Sequence, residues 1–469
     1  MEHTVGFKTG LSHRVQQLLY SITNAQRLSD KKRWGARNKI CPEQQAYAPD
    51  QPREAMDIDR ERLRVDLLAN AEHGGFIADG NKGRTILTGD PADEAVRNRF
   101  VARLRDAGLE PRIDPVGNIT GRYDPNRGPS DAAPVAVGSH LDSVRRGGIF
   151  DGPLGVYAGL EAVRAIDEAG IDLERPIDVV CFTEEEGGRF TGQLGSAVAT
   201  GELAVEKALN LTDDTETTLA DRLAAVGYRG EDTIDASGWD AWLELHIEQD
   251  TQLENTGVQV GIVEAIAGIS NCEVTIEGNA DHAGATGMFE RSDALAAMAE
   301  VVAGVEAAGR EHALNTDGTA VATVGELSVE PDVRNIVPGE ATARLDLRDV
   351  TDEGIHALVE RVRQVVERVD SERPVDATME HYRHDGASML SERCVGAAER
   401  AAVEAAVSTM RLHSAGVHDT ALVSDVTDAA LLFAPSVDGI SHNPREWTDW
   451  EDCAAATQVL ARTLVELAG

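Results

Sequence analysis

Apolar positions along this chain follow two different periods. From about residue 56 onward, stretches in which Leu, Val and Ile recur every three to four positions alternate with short runs of consecutive small or β-branched residues. The first pattern reads as a helix with one buried face, the second as a strand covered on both sides. Asp57 or Asp59 caps a helix that lines up Leu63, Leu67 and Leu68, and Asp90-Pro91 with Glu94 opens a second that Gly108 ends. A third covers 153–170, with Leu154, Tyr157, Leu160, Val163 and Ile166 on one face. Extended segments are expected at 111–113 and 118–123, and buried strands at 134–138, 176–183, 239–247 and 258–266. Such alternation predicts an α/β sandwich whose sheet is at least partly parallel.

Residues 268–376 follow a logic of their own: strand (270–277), helix (291–308), strand (320–329), strand (341–349), helix (352–369), strand (374–380). This βαββαβ order is that of a ferredoxin-like split unit and predicts an inserted α+β domain. The larger domain then comprises 56–267 and 377–469, closing with a helix at 391–406, a strand at 429–434 and a helix at 451–467. Residues 1–55 differ from everything after them, with nine Lys/Arg against five Asp/Glu, whereas the rest carries 35 against 76. A disordered extension or a misplaced start is the expectation, with a functional basic arm as the alternative.

Charge narrows the partners. A net charge of −37, spread along the chain, argues against nucleic acid and anionic membranes. Only Lys8, Lys31, Lys32, Lys39, Lys82 and Lys207 are lysines, and diffuse acid with Arg but little Lys looks like adaptation to concentrated salt. The five cysteines are scattered and odd in number, which suits free thiols in a reducing compartment. With no apolar run of about 18 residues and no signal pattern, a soluble cytoplasmic protein is expected.

Ligand-type side chains gather where strands end. Residues 134–138 run into Ser139-His140-Leu141-Asp142, a Gly-Gly pair and Asp151-Gly152; 176–183 runs into Glu184-Glu185-Glu186; 239–247 ends in His246, followed by Gln249; and His442 follows 429–434 in a polar loop. Each stretch has a plain reading by itself, as turn chemistry, a solvated acidic loop or a satisfied core histidine. The crevice beyond strand ends is nevertheless where open α/β sheets bind ligands. Imidazoles with carboxylates suit zinc, manganese, cobalt or nickel, and a shared carboxylate suits a metal pair about 3.5–4 Å apart. The triplet leaves a spare Glu to act as a base.

The stretches GSHLDSV, GGIFDGPLGV, EEEGGRF, HIEQ, GNADHAGATGM, RNIVPGE, LDLRD and GISHNPREW occur in this order. Through them the chain, over roughly 57–469, resembles the hydantoinase/carbamoylase-type amidases, in the clan of dinuclear metallohydrolases that includes aminoacylases. The resemblance implies a metallopeptidase-like α/β catalytic domain with a ferredoxin-like lid and dimerisation insert, and two divalent metal ions per subunit (zinc, or manganese, cobalt or nickel). It implies that His140 and Glu186 take outer metal positions, that Asp151 bridges, and that His246 and His442 complete the two shells. Glu185 would be the general base and Asp142 would orient a metal ligand. His282 would stabilise the oxyanion from across a homodimer interface, Asn335 and Arg348 would hold the substrate α-carboxylate, and Gln249 would sit near the ureido group. Without the resemblance, Arg348 reads as a surface arginine paired to Asp346 or Asp349.

The implied activity is hydrolysis of N-carbamoyl-L-amino acids to amino acid, ammonia and carbon dioxide. Allantoate amidohydrolase and β-ureidopropionase use the same parts, an aminoacylase or peptidase fits less well, and a metal-free binding protein is the reading from another class. Two departures stand out. Gly287 replaces a usual Pro, which predicts a looser loop around His282, and Val417 replaces a usual Gly, so His418 receives no role.

Overall fold

The computed structural model describes residues 56–124, 132–316 and 318–469, and the expected extension over 1–55 lies outside them. In chain order the strands are β1 (Gly75–Ala78), β2 (Asn81–Arg84), β3 (Glu110–Ile113), β4 (Ile119–Tyr123), β5 (Val135–His140), β6 (Ile177–Phe182), β7 (Ala241–Ile247) and β8 (Val260–Ile266). They continue with β9 (Gly268–Glu277), β10 (Asp281–His282), β11 (Val321–Glu330), β12 (Ile336–Val337), β13 (Glu340–Asp349) and β14 (Asp376–Asp385). β15 (Ser388–Met389), β16 (Thr409–Ser414) and β17 (Ala429–Ala434) complete the set.

The main sheet runs β15-β8-β17-β7-β5-β6-β4-β3, with β16 also paired to β8. Its central strands β17, β7, β5 and β6 are neighbours and mutually parallel. Every residue of these four strands is buried, which is why they read as mainly apolar runs, with Asp178 in β6 and Glu244 in β7 as buried charged exceptions. β3 and β4 add on antiparallel beyond β6, and β8 pairs antiparallel with β17. The helices Pro153–Ala169, Glu392–Ala405 and Trp450–Ala468 pack against the sheet and each other. The first starts with Pro153 inside its first turn and stops at Gly170, whose φ of 66° a side chain would disfavour. Its buried Glu161 accepts from Arg62 Nε at 2.7 Å and from the Asp59 N–H at 2.8 Å, which docks the helix Arg60–Asn70.

The second sheet has the order β11-β13-β9-β14, antiparallel throughout, with the helices Ala294–Ala313 and Asp352–Glu372 packed on it. It has its own core, built from residues such as Cys272, Val274, Met298, Leu345, Leu358 and Val362. β13 alternates as its sequence does: Ala341, Ala343, Leu345 and Leu347 are buried, while Thr342, Arg344, Asp346 and Arg348 face outward. β14 stays paired with β9 as far as Asp385 opposite Ile269, because β9 offers backbone partners down to Gly268. The chain thus leaves this sheet after Asp385, beyond the boundary expected at 376. Among the described residues no helix is long and apolar enough to cross a membrane.

Candidate active site

Four adjacent parallel strands bring their C-terminal ends to one edge, and the expected residues emerge there. His140 closes β5, the Glu184–Glu186 turn follows β6, His246 lies near the end of β7, and the loop after β17 carries His442. Asp151, from the loop after β5, stands among them. Its Oδ1 is 3.2 Å from His246 Nε2 and 3.6 Å from His140 Nε2, while its Oδ2 is 3.5 Å from His442 Nε2. Glu186 Oε2 is 3.3 Å from the same His442 nitrogen. Two groups result, His140-Asp151-His246 and Asp151-Glu186-His442, with Asp151 common to both.

The local backbone is built to present these groups. Gly152 has a φ of 81°, and a Cβ there would lie 2.5 Å from the His140 ring. Glu184, Gln249 and His442 all have positive φ, a conformation held in place by the surroundings rather than by preference. At Glu184 the turn is closed by its own carboxylate, which accepts the N–H groups of Arg189 and Phe190. The Asp142 carboxylate accepts the N–H of Glu186 at 3.0 Å and that of Glu185 at 3.3 Å, and its Oδ1 lies 3.5 Å from His140 Nδ1. One carboxylate therefore fixes both the ring of His140 and the turn of the glutamate triplet.

Burial pushes the Glu186 carboxyl up to about 8, helped by Asp151. It drives Glu185 well above the usual carboxylate range against the pull of His140, with Asp419, Glu186 and Asp142 adding to the rise. Asp151 goes the other way: burial alone would raise it, but His246, His140 and His442 hold it far below its ordinary value. His140 Nε2 and Glu186 Oε1 are buried without a hydrogen-bond partner among the described residues. Imidazole and carboxylate atoms left unpartnered in a crowd of buried acids are a donor set that fits divalent cations.

Gln249 joins the cluster by donating from Nε2 to Asp151 Oδ2 at 2.9 Å. The other expected residues lie on the second sheet and its loops. His282 and Asn335 are exposed and adjoin across the β10–β12 pair, where the Ala283 N–H donates to the Asn335 carbonyl at 3.0 Å. The Nδ1 of His282 accepts the N–H groups of Gly284 and Ala285, at 3.0 and 3.1 Å, and no ion pair joins this ring to the metal-type cluster among the described residues. Arg348 is paired with Asp346, and its Nη1 donates to the Ala415 carbonyl at 2.7 Å, linking the second sheet to the loop after β16.

Residues 136–466 match the sequence pattern of peptidase family M20/M25/M40. The chain belongs to this family. Like the M20/M25/M40 family at large it is a metal-dependent hydrolase, and its relatives act on carbon–nitrogen bonds. Over 416 residues it is 38% identical to the N-carbamoyl-L-amino acid amidohydrolase of Geobacillus stearothermophilus, covering 88% of this chain and 99% of that one. Allantoate deiminase 2 of Glycine max is 31% identical over 436 residues, or 86% of this chain and 89% of that one. A solved amidase of the hydantoinase/carbamoylase family from Burkholderia multivorans superposes with a TM-score of 0.82 at 32% identity, covering 88% of this chain and 98% of that one.

Some residues that shape this M20-type site carried no role in the sequence reading. The Oε1 of Glu446 accepts the N–H groups of Phe150 and Asp151, at 2.8 and 3.1 Å. Glu244, buried in β7, accepts from Ser139 Oγ at 2.7 Å and Thr420 Oγ1 at 2.6 Å, beneath His140 and His246. Asp419 is buried and bonded to Ser196, and burial with Glu244 nearby pushes it up to about 8. His418, left without a role, packs its ring 4.5 Å from that of His246, and burial holds it well below its ordinary value. Glu446 stands in the GISHNPREW stretch and His418 beside the Val417 departure, but no local pattern gives either a role, and Glu244 and Asp419 are polar groups whose partners Ser139, Thr420 and Ser196 lie far away in sequence.

Proposed function

We propose that this protein hydrolyses the ureido C–N bond of N-carbamoyl-L-amino acids. The observation that carries the reading is the carboxylate of Asp151, shared by two donor groups in a chain 38% identical, over nearly its whole length, to an amidohydrolase of that name. In this reading His140, Asp151 and His246 would hold one divalent ion, and Asp151, Glu186 and His442 would hold a second. Zinc, manganese, cobalt or nickel suits such donors. Bound there, two such ions would supply Lewis acidity toward the carbonyl and toward water.

Glu185, with its Oε2 3.6 Å from His140 Nε2, takes the proton from the attacking water. It returns that proton to the amino-acid nitrogen as the C–N bond breaks. The carbamic acid released falls apart to ammonia and carbon dioxide, so the water oxygen ends in carbon dioxide. His282 accepts at Nδ1, which leaves its hydrogen on Nε2, free to donate to the developing oxyanion. The Ala283 N–H bond to the Asn335 carbonyl holds His282 and Asn335 side by side, and we assign both to one site, that of the other subunit of a homodimer built through residues 268–376. Arg348, tied to Ala415 of its own chain, serves its own site, where it and Asn335 of the partner subunit hold the substrate carboxylate. Gln249, on Asp151, faces the ureido group. The described cysteines are all free and buried, in keeping with a cytoplasmic protein.

A second reading, allantoate as substrate, is supported by the Glycine max relative. Ammonia release by the metal-loaded protein from N-carbamoyl-L-amino acids, allantoate and 3-ureidopropionate tests both. The highest kcat/KM is expected on an N-carbamoyl-L-amino acid. A higher value on allantoate establishes the second reading, and no ammonia from any of the three overturns the assignment.

A further inference from the structure

Arg84, the last residue of β2, is completely buried. Its Nε donates to the Gly148 carbonyl at 3.2 Å, its Nη1 to Leu141 at 3.0 Å, and its Nη2 to both Asp142 and Asp151 at 3.0 Å. Its main-chain N–H adds a bond to Gly147 at 3.1 Å. The loop that carries Asp142 and Asp151 away from His140 is therefore wrapped around one guanidinium. None of these bonds goes to a carboxylate, although Glu446, Asp151, Asp142 and Glu186 all lie within the reach of its charge.

Burying a guanidinium without a paired carboxylate is costly, and apolar residues of similar volume would fill the space at less expense. What they would not supply is a planar fork whose donors point in several fixed directions at once. The carbonyls it grips belong to Asp142, to Asp151, to the neighbour of His140 and to the glycine turn between them. Those positions set the spacing of His140, Asp142 and Asp151. Glu446 holds the same segment from another side through the Phe150 and Asp151 N–H groups.

We propose that Arg84 is a positioning residue of the metal centre, holding the loop from Leu141 to Asp151 in the shape that aligns His140, Asp142 and Asp151 before any metal arrives. The proposal rests on the ligand assignment above. Groups that orient metal ligands without touching the metal commonly govern about 10–100-fold in metal affinity. Arg84→Met keeps the bulk and removes the donors, whereas Arg84→Lys keeps the charge but has a single nitrogen with which to reach carbonyls spread around a fork.

Metal-stripped full-length wild type, Arg84→Lys and Arg84→Met are titrated with zinc in a chelator-buffered series, with circular dichroism recorded on each apo protein. Metal binding by the wild type tests the ligand assignment, and the ratio of variant to wild type tests Arg84. Folded Arg84→Lys is expected to need about 10–100-fold more free zinc for half-saturation, with turnover recovering toward wild type once zinc is saturating. If Arg84→Met does not fold, Arg84→Lys decides. Wild-type zinc affinity in Arg84→Lys, turnover that saturating zinc leaves low, or failure of Arg84→Lys to fold with zinc present would each assign Arg84 to the fold alone and overturn the proposal.

Discussion

Asp346 grips Arg348 at two points, Oδ1 to Nε at 2.8 Å and Oδ2 to Nη2 at 3.1 Å. One edge of the guanidinium is thereby occupied by a carboxylate of its own strand, and Nη1 is spent on Ala415. A substrate carboxylate has to take its place at the remaining edge or displace one of these partners. A hydrogen bond to a charged group contributes about 1.5–3 kcal/mol, or roughly 10–150-fold. Arg348→Lys should therefore lower kcat/KM by at least about tenfold on an N-carbamoyl amino acid, and hardly at all on the corresponding amide. Equal losses on acid and amide would make Arg348 a tie between the second sheet and the Ala415 loop.

Glu185 and Glu186 are consecutive in one turn, yet the account gives them different work. Glu185→Gln should lower turnover by about 10²–10⁴-fold while metal content stays near wild type. Glu186→Gln should lose metal. The opposite pattern, read by metal analysis of both variants, would exchange their roles.

His282 is exposed, and its ring is bonded within its own loop. If it completes the site of the other subunit, an inactive His282→Ala subunit paired with an inactive Glu185→Gln subunit contains one intact site. Mixing the two variants should restore part of the activity. No recovery in verified heterodimers would place His282 in the site of its own chain.

The acidic charge that argues against nucleic acid as a partner has a consequence for stability. At a net charge of −37 the folded chain repels itself, and salt relieves the repulsion as the Debye length falls from about 10 Å at 0.1 M to about 3 Å at 1 M. The melting temperature should rise over that range of potassium chloride, and a flat or falling curve would remove the argument for salt adaptation.

Much of the site was legible because its chemistry sits where buried strands stop. Mainly apolar runs marked β5, β6, β7 and β17, and the polar residues at or just past their C-terminal ends were already the candidates. Their spatial order was not legible, since adjacency of β17, β7, β5 and β6 depends on pairings between segments far apart in sequence. The helices Leu194–Thr200, Val205–Leu209 and Leu219–Ala225 went unread because they are too short for a 3.6-residue period to show. Arg84 was invisible for another reason: it ends a four-residue polar strand, and every carbonyl it holds lies more than fifty residues away. Gly287 raised the expectation of a looser loop around His282, and in the structure Arg291 ties that loop through the carbonyls of Ala283 and Thr286.

The carboxylate of Asp151 is assigned to two metal ions at once, and metal content per chain in Asp151→Ala decides whether it serves both. Wild type dialysed against metal-free buffer should retain about two equivalents of divalent metal, as a pair sharing one bridging carboxylate requires. In a folded Asp151→Ala protein both equivalents should be lost or weakened together, and turnover with them. Retention of one tightly bound equivalent at wild-type affinity, or a wild type that holds a single ion, would contradict the shared carboxylate and with it the proposed site.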